Sequence, residues 1–128
     1  MSLFVRVPMN GIRDREILIT ALRQMGEKVE VGSRILVRGY RGRTREAEIV
    51  VRRGAYDIGF RKVGDMYEAI ADWEMLRIDR EAYLRELNKR YQIEGARMEW
   101  EAQGYRVASE HVCPKTGRIR YELVPIRA

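Results

Sequence analysis

The segment RILVRGYRGRTREAEIVVRRGAYDIGF, residues 34–60, leaves this chain few folds to choose from. Its central run, AEIVV at 47–51, ends without polar alternation, as a strand buried on both faces does. Turn chemistry brackets the run. Arg41-Gly42-Arg43-Thr44-Arg45 has the glycine and polar density of a hairpin loop, and Arg53-Gly54 turns the chain again. Residues 35–40 read as the preceding strand, and Tyr56, Ile58 and Phe60 alternate with Asp57, Gly59 and Arg61 in the following one. With Gly64-Asp65 as a further turn before 66–71, the segment predicts an antiparallel meander with 47–51 placed centrally.

The flanks supply the helices. A short strand at 2–7 closes at Pro8 and Asn10-Gly11. A helix follows, with Asp14 as N-cap, Glu16 in the first turn, and Ile17, Leu18, Ala21, Leu22 and Met25 on one face before Gly26. Val29 to Val31 suggest a short strand, and Gly32-Ser33 a turn into 35–40. A second helix starts at Asp79, with Ile78 and Tyr83 at the positions of a hydrophobic staple. Leu84, Leu87, Tyr91, Met98 and Ala102 form its stripe, and Gly95 on that stripe invites close approach of another backbone. Residues 105–112 and 118–126 predict a terminal hairpin, with Ile119, Tyr121 and Leu123 inward. The order β-α-β-β-β-β-α-β-β defines an α+β class, two helices on one face of a mostly antiparallel sheet. At 128 residues this is expected to be one domain, 1–128.

Charge is as concentrated as the turn chemistry. Residues 34–62 hold eight Arg and one Lys against Glu46, Glu48 and Asp57, which is +6, the net charge of the whole chain. Positive potential of this density attracts phosphates and carboxylates over roughly 8 Å at physiological salt. A hydrophobic content of 45% is that of a folded chain, no apolar run is long enough to cross a bilayer, and Cys113 is the only cysteine. The expected setting is therefore the cytoplasm.

Catalytic chemistry is poorly provided for. His111 and Cys113 form a His-x-Cys pair, too few ligands for a zinc site, so no metal and no cofactor are expected. Glu48, Asp57 and Asp72 are the acidic candidates, but pairing of Asp57 with Arg38 or Arg52 across adjacent strands accounts for it more simply than acid or base work. Gly39-Tyr40-Arg41-Gly42 lacks the P-loop pattern and precedes a strand rather than a helix. Trp73, Tyr91 and Trp100 fall where core aromatics fall. Arg38, Tyr40, Arg41, Arg43 and Arg45 remain as the binding candidates, for an anionic or protein partner. The alternative is an RNA or DNA backbone with a base stacked on Tyr40.

The strings VRGYRG (37–42), AEIVV (47–51), YDIGF (56–60), KRY (89–91), QGY (103–105) and GRIR (117–120), in this order, resemble the cyanobacterial and plastid-encoded family known as domain of unknown function 1257, or hypothetical chloroplast open reading frame 35. The resemblance covers almost the whole chain and implies no assigned activity. It implies a small accessory or adaptor protein, with an AAA-type ATPase as the partner suggested by family association.

Overall fold

A computed structural model of the protein describes residues 3–126. Its elements are β1 (Val5–Pro8), α1 (Arg15–Gln24), β2 (Lys28–Arg38), β3 (Thr44–Arg53), β4 (Tyr56–Val63), β5 (Met66–Ala71), the one-turn helix α2 (Trp73–Leu76), α3 (Arg80–Ala102), β6 (Tyr105–Val112) and β7 (Ile119–Pro125). The fold is α+β, as the segment order predicts. Five strands form one antiparallel sheet in the order β1-β5-β4-β3-β2, and β6 and β7 form a separate hairpin. No described helix is long and apolar enough to cross a membrane.

Helix starts follow the expected caps. The Asp14 carboxylate accepts from the Ile17 N–H at 3.0 Å, and that of Asp79 from the Ala82 N–H at 3.0 Å. Each satisfies a donor that has no partner within the helix. Leu18, Ile19, Ala21 and Leu22 of α1 bury against Ile49, Val51, Ile58, Phe60 and Ala69 of the sheet. Leu87 of α3 and Trp73 of α2 close the same core. The Trp73 indole N–H donates to the Val5 carbonyl at 3.1 Å, tying α2 to the edge strand.

Four expectations need correction. Gly32-Ser33 is not a turn: β2 runs unbroken past it, and the pairing with β3 shifts between Val31 and Ile35, a bulge that absorbs the extra residues. The run at 47–51 lies beside the central strand, which is β4, although Ile49, Val50 and Val51 are buried as expected. Gly95 admits no neighbouring backbone; a Cβ there would meet only the Ile17 side chain, at 3.6 Å. The α3 stripe also ends early, because Met98 and Ala102 are exposed. At 23 residues α3 is about 34 Å long. Its second half packs on β6 rather than on the sheet.

The opposite face of the sheet carries a smaller core of Val37, Ala47 and Val50, with Phe4 and Ile35 against it. The sheet coils enough that its two ends meet there: the Phe4 ring, just before β1, packs on Gly39, just after β2. Close approach to that ring demands glycine, since a Cβ at Gly39 would lie 2.5 Å from Phe4 Cζ.

Candidate functional site

The β2–β3 connection is a tight 3-10 turn over Tyr40–Gly42, closed by a bond from the Gly39 N–H to the Arg43 carbonyl at 2.8 Å. Arg41 adopts a left-handed conformation, φ 55°, ψ 40°, and Gly42 follows at φ 70°. The turn is anchored from outside. The buried Asp72 carboxylate accepts from the Tyr40 N–H at 3.2 Å with one oxygen, and caps α2 through the Met75 N–H at 3.3 Å with the other. Phe4 lies beneath, with the Arg45 guanidinium 4.7 Å from its ring centroid. Phe4→Ala is expected to cost about 1 kcal/mol, since the ring is only partly buried. It should speed amide hydrogen exchange at 39–43 while leaving α1 protected; unchanged exchange at the turn would show that the ring does not hold it.

Apart from Arg34, which is exposed on β2 with no ion pair among the described residues, the arginines of the segment divide into two populations. Four are taken by carboxylates: Arg38 and Arg52 by Asp57, Arg52 also by Glu30, Arg53 by Glu27 and Arg61 by Glu68. Asp57 is fully buried and receives Arg38 through its backbone N–H (2.8 Å), Nε (2.7 Å) and Nη2 (2.8 Å), and Arg52 through Nη1 (2.8 Å). The same arginines reach the Gly54 and Leu36 carbonyls, so one carboxylate straps β2, β3 and β4 together. Burial alone would push the Asp57 carboxyl up; the bonds from Arg38 and the charges of Arg52 and Arg38 hold it below its ordinary value.

Arg41, Arg43 and Arg45 form the second population. Among the described residues none of the three has a carboxylate within ion-pairing distance. All three are exposed. The Arg41 guanidinium lies 5.3 Å from the Tyr40 ring centroid, and Arg45 Nη1 donates to the Thr44 carbonyl at 2.8 Å. The five binding candidates thus separate: Arg41, Arg43 and Arg45 gather with half-buried Tyr40 at one hairpin end, whereas the Arg38 guanidinium is turned into the Asp57 strap. Sequence reasoning missed Phe4 and the role of Asp72 as anchor. The cap pattern Asp72-Trp73-Glu74-Met75 was the available signal for Asp72.

Other chemistry-bearing residues lie apart. Glu48 Oε1 accepts from the Lys62 N–H at 3.3 Å, within the sheet. His111 and Cys113 are exposed at the end of the β6–β7 hairpin, where the Thr116 hydroxyl and the N–H groups of Thr116 and Lys115 lower the Cys113 thiol from its ordinary value. Among the described residues no group of three His, Cys, Asp or Glu is placed to hold a metal ion. A broad open groove of about 1310 Å³ runs between α3 and the hairpin, lined by Lys89, Gln92, Gly95, Arg118 and Tyr121.

Fold and loop together define a small α+β protein with three exposed arginines, Arg41, Arg43 and Arg45, on one anchored hairpin end. The chain belongs to the family described as protein of unknown function, DUF1257, whose sequence profile matches residues 21–121. No curated protein and no solved structure matches it.

Proposed function

We propose that the protein works by binding, as a small non-catalytic accessory subunit whose β2–β3 hairpin end docks on an acidic surface of a protein partner. The observation that carries this reading is that, among the described residues, Arg41, Arg43 and Arg45 on one turn have no carboxylate within ion-pairing distance, whereas Arg38, Arg52, Arg53 and Arg61 of the same segment each have one; Arg34, on β2 away from the turn, is also without one. Guanidinium groups left unpaired on a turn held by Asp72 and Phe4 lose little freedom on meeting carboxylates, which favours bidentate pairing. Tyr40 and Phe4 are already covered by Arg41 and Arg45, which favours carboxylates over stacked bases as the ligand. The family association with AAA-type ATPases makes an acidic face of such an ATPase the first partner to try.

Fluorescence anisotropy with labelled polyglutamate, single-stranded RNA and duplex DNA, at about 50 and 200 mM salt, tests the reading. Polyglutamate is expected to bind, and Arg41→Glu/Arg43→Glu to weaken it about tenfold, since each reversed exposed charge contributes up to about 1 kcal/mol. Tighter binding of RNA or DNA, lost in the same variant, would replace the proposal with a nucleic-acid module. Binding of none of the three probes would remove it.

A further inference from the structure

A sheet edge with free N–H and C=O groups invites another strand, and proteins usually block such edges. Three of the four edges here are blocked. The four-residue β1 ends in Pro8, β2 carries the bulge between Val31 and Ile35, and β6 is interrupted between Val107 and Ser109, where Ala108 is the extra residue. The fourth edge, β7, ends in Pro125 but is long and carries no bulge before it: from Ile119 to Val124 each residue matches one residue of β6 in turn, and among the described residues no strand lies on its other side.

The side chains of β7 say what fits that edge. Ile119, Tyr121 and Leu123 are half-buried on the side facing α3, whereas Arg120, Glu122 and Val124 are exposed. Neither Arg120 nor Glu122 has an ion-pair partner among the described residues. We propose that β7 pairs antiparallel with β7 of a second copy of this chain, about a two-fold axis at Tyr121. In that register Arg120 of each copy lies opposite Glu122 of the other, and Ile119 opposite Leu123. Centring on Arg120 or on Glu122 sets like charges directly opposite, which destabilises. Centring between two residues sets half-buried side chains opposite exposed ones. Of the registers centred within β7, the Tyr121-centred one sets Arg120 opposite Glu122 while keeping half-buried side chains opposite half-buried ones. It joins two hairpins into a four-stranded sheet with both α3 helices on one face, where a two-stranded hairpin alone is marginal. The surface is separate from the β2–β3 hairpin end and does not depend on its function.

Sedimentation equilibrium of the full chain between about 1 and 100 µM, the range in which a micromolar association shows, tests the pairing. The wild-type mass should climb from one chain toward two. Arg120→Glu and Glu122→Arg each place like charges opposite, and each should raise the midpoint concentration at least about tenfold. The exchange Arg120→Glu/Glu122→Arg restores opposite charges and should restore dimerisation, a rescue that loss of folding would not permit. A single-chain mass throughout, single variants that associate like the wild type, or an exchange that fails to rescue would each overturn the proposal.

Discussion

Asp57→Asn is expected to destabilise the protein by about 3 kcal/mol, measured by chemical denaturation near neutral pH. Breaking a buried ion pair by removing one partner costs about 3–5 kcal/mol. The low end applies because the Arg38 and Arg52 side chains remain 46% and 29% exposed, so water partly solvates them once the carboxylate is gone. Asn preserves shape but replaces one acceptor oxygen with a donor, and both Asp57 oxygens receive bonds from arginine, so either orientation of the amide sets donor against donor. The acid limb carries the second part of this prediction. The Asp57 carboxyl is lowered in the fold, so its contribution is fully present above the unfolded value of about 3.9 and is lost as pH falls through the folded value. The difference between wild type and variant should therefore be constant above about pH 5 and shrink steadily below it. A difference that does not change with acid would show that the arginines do not hold the carboxylate charged.

Gly59→Ala is expected to cost about 3 kcal/mol, the upper end of overpacking. Gly59 lies in the central strand, where an added Cβ would clash with Val37 Cγ2 and sit 3.0 Å from Ala47 Cβ and 3.1 Å from Ile70 Cγ2. Each of those neighbours is itself buried, and Val37 is β-branched, with little rotamer freedom to move aside. Val37→Ala alone should also destabilise, by leaving a cavity. The pair Gly59→Ala/Val37→Ala should be less destabilised than the sum of the two singles, because the methyl added at one site fills space vacated at the other. Simple additivity within about 0.5 kcal/mol would mean that the strands separate rather than clash.

Much of the local structure was legible because it rests on neighbours in the chain. Asp14 and Asp79 cap their helices through the N–H three residues on, which spacing alone reveals. The alternation of Tyr56, Ile58 and Phe60 with Asp57, Gly59 and Arg61 gave the faces of β4 correctly, and Asp57 does pair with both Arg38 and Arg52. Where contacts span distant segments the reading was weaker. Gly32-Ser33 has turn composition, yet ladder bonds on either side outweigh that preference and turn it into a bulge. The one-turn α2 was missed because four residues hold too little periodicity to register.

The site divides along the same line. Sequence by itself determined that positive charge is concentrated in 34–62 and that a glycine-rich turn interrupts it, because charge and turn preference belong to residues one at a time. Only the tertiary structure decided which arginines are free. Arg38 and Arg41 are alike in sequence, but the coil of the sheet sets one beside the carboxylate of Asp57, 19 residues away, and leaves the other exposed on a turn fixed by Asp72 and Phe4. An ion pair depends on distance in space, and that distance is set by strand pairing and burial across the whole chain.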